Sequence, residues 1–320
     1  MPALRKATPA ITLALTVLAF AAIAPGRLSI TDARIVLLQT AIVGIVGLGM
    51  AVVIVGGGID LSIGSLVALC GVVAARVLAA DLGVVNETAA APMLAVAAAL
   101  FVGTLAGLYN GVLIAILRLP PFIVTLGTLG FFRGLAKWAC GGGSQVGAPP
   151  GWLASWVRLV PRPAWLLVAP TAWLLLGLSG LAAAWLHWSV AGRQLIATGA
   201  SEEAARRAGI PIHRRRIASY AICGTLGGLA GVIQFARLGG MGDPTIQVGL
   251  ELRAIAAVVI GGASLAGGHV SIAGTLCGAL LMAFLDNRAA SLGWPNYVQE
   301  LIVGHIIILA VALDRWRPRA

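Results

Sequence analysis

The residues of this chain that could do chemistry fall into two groups. The first is a polar stub, Ser201-Glu202-Glu203-Ala204-Ala205-Arg206-Arg207-Ala208-Gly209, inside a basic stretch at about 189–215 between apolar runs. Ser201 offers the oxygen of a helix N-cap, which accepts from amides that otherwise lack partners. Glu202 and Glu203 then stand at the positive end of the helix dipole, with Arg206 and Arg207 at the negative end. Glu202–Arg206 and Glu203–Arg207 are i, i+4 pairs in the favourable order, each worth roughly 0.2–0.5 kcal/mol. Gly209 can take the left-handed conformation that ends a helix, and Pro211 prevents its continuation. The spacing predicts a two-turn helix about 10–12 Å long. So short a helix is not stable alone. Either the adjoining spans hold it as a capped connector, or it docks into a groove on a cytoplasmic partner and carries motion.

The second group comprises Asp60, Ser62, Asn110, Thr125, Thr128, Glu251 and Ser264, all within or beside apolar runs. An ionised carboxylate at membrane depth costs about 2.5–3.5 kcal/mol on insertion scales and is kept where it has a partner or a task. Asp60 follows Gly56-Gly57-Gly58 between two runs. It can cap the next helix near Ile63, as Ser62 can, or contact a solute, or relay a proton, and all three readings stay open. Asn110, Thr125, Thr128 and Ser264 are neutral hydrogen-bonding groups, suited to a hydroxyl-rich solute and equally able to bond neighbouring helices. Arg133, late in its run, is expected to snorkel to the interface.

No enzyme signature joins these residues. His187, His213, His269 and His305 are scattered, and Cys70, Cys140, Cys223 and Cys277 lie far apart with no zinc spacing. The cysteines read as small buried hydrophobes. A phosphate-cradling GxxxxGK[ST] loop is missing from the sequence. No catalytic residue, cofactor or metal is therefore expected, and any ATP hydrolysis must fall to a separate subunit.

The elements that must position these groups are membrane helices. The chain is 59% hydrophobic and 10% charged, against about a quarter charged in an ordinary soluble domain. Apolar runs fall at roughly 10–25, 35–56, 61–80, 91–117, 120–140, 163–188, 216–237, 249–266, 270–286 and 297–313. A span needs about 20 apolar residues, and lipid leaves helices as the form that satisfies the backbone. The prediction is an all-α polytopic protein of about ten helices, one transmembrane domain over 1–320, with broken or short helices at Gly56–Gly58, Gly141–Gly143, Gly261–Gly262 and Gly267–Gly268. The eighth run is short for a span and carries Glu251 and Arg253 near its start. Residues 1–25 have the basic start (Arg5, Lys6) and small-residue site (Ala22-Ile23-Ala24) of a signal peptide, but Pro25 after the would-be cut favours an uncleaved first span.

The net charge of +11 does not point to nucleic acid, since no stacking aromatics interleave the arginines. Arg193, Arg206, Arg207, Arg214, Arg215 and Arg216 crowd one loop, while Arg5, Lys6, Arg315, Arg317 and Arg319 flank the ends. Basic residues beside spans mark the cytoplasmic side. With ten spans both termini and the 189–215 loop are then cytoplasmic. Asp81, Glu87 and the Pro/Gly/Trp-rich link at 141–162 are external, with Trp152, Trp156 and Trp165 as interfacial anchors. Ala51-Val52-Val53-Ile54 and Ala257-Val258-Val259-Ile260 both precede glycines, a likeness that chance accounts for in a chain so rich in these residues.

The stub, together with Gly56-Gly57-Gly58-Ile59-Asp60-Leu61-Ser62-Ile63-Gly64-Ser65, resembles the ribose/monosaccharide family of ABC-transporter permeases. Asn110-Gly111-Val112-Leu113-Ile114, Pro121-Phe122-Ile123-Val124-Thr125-Leu126-Gly127-Thr128 and Ala254 through Leu265 extend the resemblance from about residue 35 to the C-terminus. The resemblance implies a homodimeric permease of the bacterial inner membrane, two cytoplasmic ATPase subunits, a periplasmic or lipid-anchored solute-binding protein, and a monosaccharide or similar solute moved by alternating access. It also implies that Ser201–Gly209 is the coupling helix seated on the ATPase. Other cargoes (a nucleoside, a branched-chain amino acid, a signalling sugar) and a gradient-driven carrier are the alternatives. One departure stands out. The family usually has an acid shortly after the matched Glu251, where this chain has Arg253, a reversed charge expected to lie near the external mouth.

Overall fold

A computed structural model describes residues 29–80, 90–147, 151–163 and 166–315; the predicted run at 10–25 and Trp165 lie outside them. Among the described residues the regular elements are helices apart from one two-residue ladder. The helices are α1 (Ile30–Val55), α2 (Ile63–Ala79), α3 (Ala90–Ala115), α4 (Pro121–Ala139), α5 (Gly151–Trp156), α6 (Pro170–Trp188), α7 (Val190–Ala200), α8 (Glu202–Arg207), α9 (Ile212–Arg237), α10 (Leu250–Ile260), α11 (Ile272–Ser291) and α12 (Asn296–Arg315). By length and composition α1, α3, α6 and α9 can each cross a membrane.

Helix α1 is the central post. It starts earlier than its apolar run, because Ser29 and Asp32 form a reciprocal capping box. From Thr40 to Val55 every residue is buried, so its apolar surface meets other helices on all sides, as in the interior of a bundle. Around it stand α9, α11, α10 and α6.

The tightest seam joins α3 to α9. Gly103 and Gly107 of α3 face Gly224, Gly228 and the Tyr220 carbonyl of α9. A Cβ on Gly224 would stand 2.9 Å from Gly107 Cα. Small residues spaced by four let the backbones touch, which is how helices associate where lipid removes any hydrophobic drive between them.

The glycine runs divide by role. Gly141 and Gly142 have open space around them and make a surface turn after α4. Gly261 packs on Gly274 of α11, whereas Gly56–Gly58 and Gly267–Gly268 converge on Gly199 near the end of α7, which is pressed between the Val55 carbonyl and the Gly267-Gly268 backbone. There the Gly268 amide donates to the Val55 oxygen at 2.9 Å. The two AVVI tetrapeptides occupy equivalent places, each the last turn before a glycine break, on the neighbouring helices α1 and α10.

These contacts sort the loops onto two faces. The ends of α1 and α10, the α3–α4 turn and the stub gather on one. On the other, β1 (Gln145–Val146) pairs antiparallel with β2 (Met241–Gly242), with Gln145 opposite Gly242. On that face Arg76 also donates to the Ala139 carbonyl at 2.9 Å, and Arg288 pairs with Asp32 at 3.1 Å.

Candidate functional site

Two helices begin inside the bundle rather than at its surface. Helix α2 has 17 residues, about 25 Å, and α10 has 11, about 16 Å. Residues 56–62 carry the chain back inward before α2 starts. Cys223 of α9 lies against Gly49 of α1 and also against the Asp60 carboxylate, so Asp60 is level with Gly49, about 9 Å of helical rise back from Val55. The Ile63 side chain faces Gly227, beyond the middle of α9. From the opposite face, residues 243–249 dip in to start α10, and Glu251 and the Gln247 carbonyl lie against Gly64. The first turns of α2 and α10 thus meet, and unbonded amides at helix starts favour negative charge there.

Asp60 is fully buried. Its Oδ1 accepts from the Ser62 amide at 2.9 Å and from Ser62 Oγ at 2.6 Å. Asn110 Nδ2 donates to Ser62 Oγ at 2.9 Å. Tyr220 donates its hydroxyl to the Ile59 carbonyl at 3.0 Å. Thr125 donates to Pro121 O at 2.8 Å and stands 3.5 Å from the same Ile59 carbonyl. The broken segment is therefore pinned by side chains from α3, α4 and α9. Asp60 closes a tight turn ahead of α2 rather than capping near Ile63. Ser62 occupies the N-cap position without making a cap bond, because its hydroxyl is engaged by Asp60 and Asn110.

Four buried polar atoms along this turn and the two helix starts have no hydrogen-bond partner among the described residues: Asp60 Oδ2, Ser65 Oγ, Asn110 Oδ1 and Glu251 Oε2. Each such atom costs about 1–3 kcal/mol. Their concentration where two helices break leaves donor and acceptor capacity for a hydroxylated guest. Tyr220, Cys223 and Ser65 were absent from the sequence-derived site; only the i, i+3 spacings of Tyr220 with Cys223 and of Ser62 with Ser65 hinted at shared faces. Thr128 lies apart, bonding its own helix through the Thr125 carbonyl at 3.4 Å. Ser264 sits in the turn after α10, its backbone bonded to His269 and Gly267.

Two expectations about charge are corrected. Arg133 does not snorkel outward; it donates to the carbonyls of Pro244 and Ile246 at 2.6 and 2.7 Å and fastens the inward-dipping segment. Arg253 does not present a bare reversed charge, since it pairs with Asp286 at 3.1 Å with both side chains mostly covered.

The stub forms as its local sequence demands. Ser201 Oγ accepts from the Ala204 amide at 3.2 Å, Gly209 adopts φ +72°, and both i, i+4 pairs close. Its faces differ. Ala205 is buried and Glu202 also binds Arg216 of α9, whereas Glu203 and Arg207 are 74% and 79% exposed. The Arg216 guanidinium, seconded by Arg206, holds the Glu202 carboxyl below the ordinary glutamate range. A lowered folded-state pKa gives stability that is present above the unfolded value and lost as pH falls through the folded one. Amide exchange across 202–208, corrected for intrinsic rates, should show protection that is constant near neutrality and declines below about pH 4.3. Glu202→Gln should abolish that decline.

Over residues 33–311 the chain matches the family model described as branched-chain amino acid transport system / permease component. The chain belongs to this permease family. Among the permease's relatives, the ribose import permease protein of Escherichia coli (strain K12) is 38% identical over 301 residues, covering 91% of this chain and 88% of that one. The L-arabinose ABC transporter permease protein of Azospirillum brasilense is 34% identical over 321 residues, covering 96% and 84%. The autoinducer 2 import system permease protein of Yersinia pseudotuberculosis serotype O:3 (strain YPIII) is 34% identical over 271 residues, covering 84% and 73%. No solved structure matches the permease. The resemblance to the sugar-type ABC permeases thus holds over most of the chain, and with its apolar helices it makes this a multi-pass inner-membrane permease.

Proposed function

We propose that this permease is the membrane-spanning subunit of an ATP-driven importer for a small sugar. The reading rests most on the buried polar turn around Asp60, Ser62 and Asn110, where two helices start inside the bundle, set in a chain whose relatives are named as ribose, arabinose and autoinducer-2 permeases. Broken helices with unpartnered polar groups inside a membrane bundle are the usual ground for a solute site. In this reading a single domain over 1–320 makes ten crossings with both termini in the cytoplasm. Two copies form the path, and a solute-binding protein delivers cargo from outside. Asp60, Ser62, Asn110, Thr125, Thr128, Glu251 and Ser264 border the route or hold the helices that do.

The division of faces on the stub supports a mechanical role. Its inward face is tied to α9 by Glu202 and Arg216, while its outward face presents Glu203 and Arg207 to a cytoplasmic ATPase. ATP binding on the partner would then move α8, and α9 with it, and reorient the bundle. The double variant Glu203→Ala/Arg207→Ala should insert and fold normally, because exposed pairs contribute at most about 1 kcal/mol. Its sugar uptake should nevertheless fall by about tenfold or more, equivalent to ~1.4 kcal/mol in coupling. Uptake in whole cells at matched expression measures this, and wild-type transport in the double variant would refute the coupling role.

A further inference from the structure

A cleft of about 340 Å³ opens beside the stub. It is walled by Arg118 and the Pro120–Pro121 turn between α3 and α4, by Glu202 and Arg206 of the stub, and by His213 and Arg216 at the base of α9. Three arginines and one glutamate line it. Glu202 is shared between Arg206 and Arg216, and among the described residues Arg118 has no hydrogen-bond or ion-pair partner. Arg118 also holds a left-handed backbone, φ +56°, which is uncommon for a residue with a Cβ and is tolerated where the surroundings enforce it. The His213 ring is fixed by donating from Nδ1 to the Ala115 carbonyl, so Nε2 remains for other contacts.

We propose that this cleft binds a phosphomonoester. The surplus of two positive charges matches a group carrying about −1.5 to −2 at neutral pH. Arginine forks bond phosphate oxygens in pairs, and the volume falls in the range of small-molecule sites. A phosphate there bridges the α3–α4 turn to the stub and to α9, fixing the stub's position, so occupancy by a soluble phosphorylated metabolite or by a lipid headgroup would regulate whatever motion the stub carries. The inference concerns binding and stands apart from the transport reading.

Full-length protein in detergent, titrated with inorganic phosphate and with glycerol 3-phosphate, should show a saturable rise in melting temperature beyond that of chloride at equal ionic strength. In nanodiscs the comparison is phosphatidic acid against phosphatidylcholine. A response to the soluble probes assigns the site to a soluble phosphomonoester, and a response to phosphatidic acid alone assigns it to a headgroup. Arg118→Gly removes the guanidinium and suits the positive φ, so the fold is kept and binding should weaken by about tenfold. No saturable response to any phosphate, or an undiminished response in Arg118→Gly, overturns the proposal.

Discussion

Asp60→Ala should reduce sugar uptake by about tenfold or more, equivalent to ~1.4 kcal/mol, while Asp60→Asn should stay within about threefold of wild type. The alanine leaves the Ser62 amide and hydroxyl without their acceptor in a site closed to solvent, at about 1–3 kcal/mol for each group left unmet. The turn that starts α2 then loses its anchor, and Asn110, which reaches the same hydroxyl, loses its register. Asparagine keeps an oxygen for Ser62 and places an NH2 where Oδ2 stands, beside the Asn110 side chain. Radiolabelled uptake, normalised to the folded protein in size-exclusion chromatography, measures both. A folded Asp60→Asn protein with no uptake would show that the charge itself is required and would restore the proton relay as a reading.

The second large effect concerns packing. Gly224→Val should destabilise the α3–α9 seam by more than the ~1–3 kcal/mol typical of overpacking, because the added carbons meet the Gly103 carbonyl and Gly107 backbone, which cannot rotate away. Gly127→Ala is the contrasting control. Nothing stands within 4 Å of its added Cβ, and alanine gains up to about 1 kcal/mol of helix propensity over glycine. Thermal unfolding in one detergent should therefore move in opposite directions for the two. Similar melting temperatures would mean that the seam is not close-packed.

How much of this was legible before the structure depended on whether the cause was local. The stub was readable from Ser201 to Gly209 because caps, dipole charges and i, i+4 pairs lie within one short segment. Shortness of the eighth run was readable too, and it became the half-length α10. Glycine runs marked breaks without distinguishing them: Gly141–Gly143 proved a surface turn, whereas Gly56–Gly58 leads inward to Asp60. What separates them is the company of Gly199, Val55 and Gly268, which are distant in sequence. The early start of α1 was encoded by Ser29 and Asp32, a signal that hydropathy alone passes over.

The remaining misses were contacts between remote segments. Arg133 bonds main-chain carbonyls at Pro244 and Ile246, partners that residue type does not announce. Arg253 looked like a bare reversal of the family's usual acid until Asp286, on another helix, supplied its counter-charge. Tyr220 and Cys223 sit on a helix whose apolar neighbours gave no sign of a polar face, and Cys223 in particular read as a plain hydrophobe. The polar turn at Asp60 could thus be nominated residue by residue, but the groups that pin it depend on how α3, α4 and α9 pack.

The most direct measurement is uptake of labelled ribose and arabinose into liposomes holding this permease, with and without its ATPase and solute-binding protein. The account predicts accumulation only when both partners and ATP are supplied, and none with the permease alone under a sodium or proton gradient. Gradient-driven accumulation by the permease alone would contradict it.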